Sequence, residues 1–597
     1  MRRALILFLA LGLVGVSSAV TEEDKMSFPV VWNPEIPAGV QVTRPALTTS
    51  QKLLYLPRKK SGFGFTSNIE QIGYISPDQV SSVHFKPINS SKGPQLFVEV
   101  PDGIEFYGGF RDFTMERKGN VYHFIPGPRA SKYTFYWKLL KPMADGARLK
   151  VRYWGEWEEG AKKQEPKTLT VEVVRIPETK GLRKLPVYFS MPSDFFASYP
   201  DLAGLKRCGF NLLDMWTYVE PGDDWGWPLV DETIRKCKEI PGLRPIAWVR
   251  EWWWMKGRES DEGAATLKDG TKTHAALCLS YRGEHYRRWI EQGKSLIDRG
   301  LCFHTVDPEM YGAALKVGTD NGEAICYCDR CKAEYARYLK ANPKGDRFDF
   351  AARRYADFFR EYREAMVAHM KEKGLAGKFR FMIYNAYHRS FAGFSSHRNY
   401  KDSHSYRGTL EDPVYFKGIF DILAPMAYMD VYANYNPYDM LLTWRDTYVL
   451  DKIVGGAIPV APILCAGYPF QKAFDSDLNA EMLKWNILEA VSGGGKGFGI
   501  WGECPVDAKD MKAVAEAVNV LAPFEDIIAT SRPDGKVRCV SGNAVVKRID
   551  SPNGSLVFVS EYSDRPLDVT IEAPVGAQTV RRSVRLDRDR IKVVALQ

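Results

Sequence analysis

The sequence predicts an α/β fold: a (β/α)8 barrel of the TIM type, flanked by N-terminal and C-terminal β-sandwich domains. Three observations carry that expectation. Between Leu185 and Trp501 short apolar runs alternate with longer amphipathic stretches, and eight such units can be counted. Before and after that region the chain strings short β-rich runs between turn signals instead. No Gly-rich phosphate loop follows the first apolar run, which weighs against an open doubly wound sheet.

Taken in order, the first element is an export signal expected over residues 1–19. Arg2 and Arg3 precede the apolar stretch Ala4–Val16, and Ser17-Ser18-Ala19 supplies the small residues that a signal peptidase reads. About 13 apolar residues fall short of the ~20 that span a bilayer. The expected location is therefore secreted or periplasmic. No later segment is long and apolar enough for a membrane span.

An N-terminal β-sandwich is expected over residues 26–180, from runs such as Gln95–Val100, Val121–Ile125, Leu149–Trp154 and Thr168–Val174. The barrel is expected over 185–524. Its strands are read at Leu185–Met191, Phe210–Trp216, Arg244–Arg250, Cys302–Val306, Phe379–Tyr384, Phe420–Tyr428, Val460–Ala466 and Gly497–Trp501. Helices are read at Glu284–Asp298, Phe348–Lys373, Leu478–Val491 and Asp507–Leu521. Strands return over 525–597, at Val537–Cys539, Ala544–Val546, Leu556–Val559, Leu567–Ile571 and Ile591–Ala595, and predict a small C-terminal β-sandwich.

Composition narrows the partner. The formal charge of +9 is spread along the chain rather than gathered in runs, so no nucleic acid is expected. Aromatic residues make up 13%, with 15 Trp and 30 Tyr, whose flat apolar faces and polar edges suit sugar rings. A carbohydrate substrate is the expectation.

In a (β/α)8 barrel the chemistry lies at the C-terminal ends of the strands. That rule selects Asp214 and Trp216 after the second strand, Trp252 after the third, and Asp307 and Glu309 after the fourth. It adds Asn385 and Tyr387 after the fifth, Tyr428 and Asp430 after the sixth, Tyr468 after the seventh, and Trp501 and Glu503 after the eighth. Asp307 and Glu309 stand out because residues two apart on an extended strand face the same side. Adjacent carboxylates raise one another's pKa, which suits a general acid protonating a glycosidic oxygen. Glu309 is read as the acid/base, with the second carboxylate being Asp307, Asp430 or Glu503 in that order. Trp216, Trp252, Asn385, Tyr387, Tyr468 and Trp501 are read as substrate-binding.

Cys326-Tyr327-Cys328-Asp329-Arg330-Cys331 crowds three thiols into six residues. Such thiols pair poorly with one another but can converge on one tetrahedral metal. Cys278, in the loop after the third strand, is the fourth ligand chosen. Zinc held by four thiolates would be structural, so no cofactor is expected for catalysis. Disulfide bonding is the competing reading, since export permits it.

The stretch from Cys278 through Glu309-Met310-Tyr311-Gly312 to Cys331 resembles the β-galactosidases of glycoside hydrolase family 42 over about 60 residues. The resemblance implies that Glu309 is the acid/base and that the four cysteines hold zinc. Pro308 stands where those enzymes have Asn, and the seventh strand, Pro462–Tyr468, lacks their nucleophilic Glu. Asp307-x-Glu309 with Met426-Ala427-Tyr428 and Trp501 is also similar to family 18 chitinase barrels. That likeness implies that Asp307 orients the substrate's acetamido group and that Tyr428 donates a hydrogen bond. The leading expectation is thus an exported glycoside hydrolase; the alternative, favoured by the missing seventh-strand Glu, is a non-catalytic carbohydrate-binding barrel.

Overall fold

The computed structural model describes residues 64–596, except 68–71, 89–93, 131–132, 158–161, 218–225, 250–260, 309–325, 386–411, 428–439, 467–479, 503–506, 563–564 and the single positions 262, 346, 376, 534 and 588. The export signal expected over 1–19 lies outside the described residues.

Eight parallel strands close into a barrel. They are β1 (Val187–Pro192), β2 (Leu212–Trp216), β3 (Arg244–Val249), β4 (Phe303–Val306), β5 (Arg380–Asn385), β6 (Ile422–Ala427), β7 (Ile463–Cys465) and β8 (Phe498–Trp501). Closure is made by β1, which pairs with both β2 and β8. Each strand falls within or beside the run that predicted it. Both faces of these strands are covered, which is why they read as near-continuous apolar runs rather than as alternations.

Helices form the outer layer: α1 (Ser193–Ser198) and α2 (Leu202–Arg207) after β1, α3 (Gly226–Lys238) after β2, and α4 (Glu284–Asp298) before β4. α5 (Asp329–Ala341) and α6 (Arg347–Glu372) follow β4, and α7 (Met440–Ile453) follows β6. α8 (Ala480–Ser492), α9 (Ala508–Leu521) and α10 (Glu525–Thr530) complete the ring. α9 starts where the sequence placed it because Asp507 accepts from the amides of Lys509 and Asp510, and Asp510 returns the bond in a capping box.

Strand alternation divides the buried side chains into two layers. Tyr188, Leu212, Ile246, Met382, Tyr384, Ile422, Met426 and Ile463 fill the barrel interior. Their neighbours, such as Phe189, Leu213, Ala247 and Ile383, pack outward against the helices. A Cβ at Gly499 of β8 would lie 1.9 Å from the Tyr188 ring, so only glycine leaves that ring room to cross the barrel and donate to the Ala461 carbonyl at 2.9 Å.

The N-terminal unit is a four-stranded and a six-stranded sheet around Phe85, Phe106, Phe124, Phe135 and Trp137. It docks on the barrel's side, where Tyr199 donates to the Val80 carbonyl at 2.6 Å and Tyr136 pairs with Ser198 at 2.9 Å. The C-terminal unit pairs two three-stranded sheets. Glu525 of α10 accepts from the amides of Arg183 and Lys184, each at 2.6 Å, and so pins the chain just before β1.

A short hairpin, Ala264–Thr266 with Lys272–Leu277, lies between β3 and α4 and was not expected. Its turn carries Asp269-Gly270, with Gly270 at φ +88°, the pairing that marks tight hairpins.

Candidate functional site at the barrel mouth

Polar side chains interrupt the apolar interior near the C-terminal ends of the strands. Ser190 of β1 lies beside Asp214 of β2 and beside Trp501 of β8 in the strand register. Asp214 is fully buried. Its carboxylate accepts from Ser190 Oγ at 2.8 Å, from Thr305 Oγ1 at 2.8 Å and from the Tyr384 hydroxyl. Burial pushes its pKa up to about 6, against the three hydroxyl hydrogen bonds that favour the charged form.

Ser190 also accepts from Trp216 Nε1 at 2.8 Å. The Trp216 ring stacks on Trp501, with centroids 6.3 Å apart and planes at 21°, and meets Trp248 edge-on at 5.1 Å. Trp216 is 5% exposed, whereas Trp501 and Trp248 are half-buried. Trp501 and Trp248 are thus the more open members of the trio, and Trp216 backs them.

Asp307 follows β4 two residues beyond Thr305 and is half-buried. Asn385 closes β5. Glu309, Tyr428, Asp430 and Glu503, along with Trp252, Tyr387 and Tyr468, lie outside the described residues. Of the residues selected from sequence, Trp216 and Trp501 are brought into contact. Asp214 was expected only as a strand-end residue, and the cluster around it was not expected. The signal was present: Ser190, Asp214, Thr305 and Tyr384 are polar groups at inward positions of otherwise apolar strands, and buried polar groups need partners.

A second arrangement is built from the cysteines. Cys278 ends the hairpin, Cys326 and Cys328 precede α5, and Cys331 lies in its first turn. Their ligand atoms all lie within 4.8 Å of one another. Cys278 Sγ is 3.5 Å from Cys328 Sγ and 3.4 Å from Cys331 Sγ. These separations exceed an S–S bond of ~2.05 Å and approach the ~3.8 Å edge of a tetrahedron with ~2.3 Å zinc–sulfur bonds. Hydrogen bonds from neighbouring thiols, Cys278 first, hold Cys326 and Cys328 below the ordinary thiol range. The Thr266 amide donates to Cys326 at 3.3 Å, and the Tyr327 amide to the Thr266 carbonyl at 2.7 Å, so the hairpin clamps the loop. None of the nine described cysteines is disulfide-bonded.

No family model and no curated protein matches the chain. Solved structures do match in part. A family 39 glycoside hydrolase from the gut symbiont Bacteroides cellulosilyticus WH2 is 9% identical over 88% of this chain and 99% of that one, with a TM-score of 0.37. A noncanonic maltogenic α-amylase from Thermotoga neapolitana is 11% identical over 70% of this chain and 100% of that one, with a TM-score of 0.39. A family 30 endoxylanase from Clostridium papyrosolvens C71 is 9% identical over 70% and 97%, with a TM-score of 0.34. Likenesses this distant add nothing about activity to what the barrel itself carries.

Proposed function

We propose that the protein is an exported glycoside hydrolase acting on a polysaccharide or oligosaccharide, with Glu309 as general acid/base. The observation that carries this reading is the Trp216–Trp501 pair at the C-terminal end of a closed barrel, linked through Ser190 to a buried carboxylate that also holds Thr305 of β4, the strand that leads into Asp307 and Glu309. Indole faces stack on the apolar faces of sugar rings. Carboxylates at the strand ends then meet the glycosidic oxygen from the wall of the same mouth. Glu309 would donate the proton to the leaving oxygen, and Asp307 is the first choice for the second carboxylate, followed by Asp430 and Glu503. A separation of ~5 Å between the pair implies retention and ~6.5–9.5 Å inversion.

Zinc belongs to the same proposal as a structural ion held by Cys278, Cys326, Cys328 and Cys331. Four thiolates leave no open position for water, so the ion brings two distant segments together without entering the reaction. The sequence resemblance to family 42 implies the roles given to Glu309 and the four cysteines, and that to family 18 implies roles for Asp307 and Tyr428.

A second reading, a carbohydrate-binding barrel without catalysis, is favoured by one observation: β7 ends on Cys465 with no carboxylate. Incubation of the full chain with a panel of polysaccharides separates the two. Release of new reducing ends from at least one polymer is expected; retention on a polysaccharide gel with no release from any polymer supports the binding reading instead.

A further inference from the structure

We infer that Asp214 is the positioning residue of the barrel mouth: one buried carboxylate that fixes the aromatic floor through Ser190 and the end of β4 through Thr305. Its three partners come from three different strands, Ser190 from β1, Thr305 from β4 and Tyr384 from β5. All are neutral hydroxyls, and among the described residues no cation pairs with it. A bare carboxylate in an apolar interior is costly unless every lone pair is used. Asp214 therefore acts as a fixed acceptor that draws three strands to one point.

Two chains of contact run from that point to the mouth. In one, Ser190 Oγ donates to Asp214, which leaves its lone pairs to receive Trp216 Nε1 at 2.8 Å, and the indole so oriented carries Trp501 on its face. In the other, Thr305 is tied at 2.8 Å, two residues before Asp307 and four before Glu309. Full burial keeps Asp214 itself from a substrate, so it acts through these neighbours and is not a catalytic residue. Only the use to which the mouth is put rests on the glycosidase reading.

The test is made on the indole N–H of Trp216 in full-length protein labelled with ¹⁵N-tryptophan, its resonance assigned by loss in Trp216→Phe. Ser190→Ala and Asp214→Ala are expected to shift that resonance and to speed its hydrogen exchange roughly three- to tenfold, the worth of one hydrogen bond. Asp214→Asn, which keeps the shape and the acceptor shared by Ser190 and Tyr384, is expected to restore it. An unmoved Trp216 signal in a cooperatively folded Ser190→Ala protein overturns the inference, and this variant removes only one hydroxyl should Asp214→Ala fail to fold. A shifted signal in a protein that cleaves no glycan would leave the positioning role standing and remove the glycosidase reading.

Discussion

Two buried titratable groups in neighbouring layers of the barrel pull stability in opposite directions with pH. Asp214 has its pKa raised to about 6, so its folded form binds a proton more tightly than the unfolded chain, and the stability it contributes is present in acid and lost as pH rises through about 6. His304 faces the helix layer, hydrogen-bonded with the Tyr362 hydroxyl at 2.8 Å and the Leu301 carbonyl at 3.0 Å, and burial lowers its pKa to about 3. Its contribution is present above the ordinary value of 6.5 and lost as pH falls toward about 3. The first term is on the order of 3 kcal/mol and the second on the order of 5 kcal/mol. Between about pH 4 and 6 the two slopes oppose and nearly cancel, and below about pH 4 only His304 still titrates, so the loss of stability from this pair should set in there. Urea unfolding between pH 4 and 8 should show Asp214→Asn gaining most at the alkaline end, and His304→Asn gaining relative to the wild type as pH falls below about 6.5. A slope unchanged in His304→Asn would contradict the assignment. At this scale the sequence showed that His304 lies within a strand, but not its layer, because Phe303-His304-Thr305-Val306 fits either phase of alternation.

At the scale of elements, the cysteine loop was legible because Cys-x-Cys-x-x-Cys is a local pattern that needs one distant partner. The hairpin that delivers that partner was not read, although its Asp269-Gly270 turn marks it. Strand positions were legible for a related reason: each apolar run is buried on both faces, whereas the edges, such as β7 shrinking to Ile463–Cys465, depend on neighbours that no local pattern encodes. If zinc joins hairpin to helix, purified protein should carry about one zinc per chain, and Cys328→Ser should lower both zinc content and melting temperature. Zinc-free protein with these thiols oxidised in pairs would favour the disulfide reading.

At the scale of the molecule, the flanking sheets are fastened to the barrel by interactions that link distant parts of the chain. Lys547 of the C-terminal unit and Glu489 of α8 form an ion pair in which both side chains are buried, with Ser560 donating to the same carboxylate at 2.6 Å and Tyr562 at 2.7 Å. In the sequence Lys547 follows two valines in an ordinary strand pattern, and its partner lies 58 residues away. Lys547→Met should cost about 3–5 kcal/mol by stranding a buried carboxylate. The double variant with Glu489→Leu should recover most of that loss in a denaturant titration; no recovery would mean that the pair is not the fastener. Glu309 is the residue on which the proposed hydrolysis depends. Full-length Glu309→Gln, assayed beside the wild type for reducing-end release on the same polysaccharides, should lose cleavage by at least the ~10²-fold that a general acid contributes, while still binding the polymer. Undiminished cleavage by that variant would rule out Glu309 as the acid.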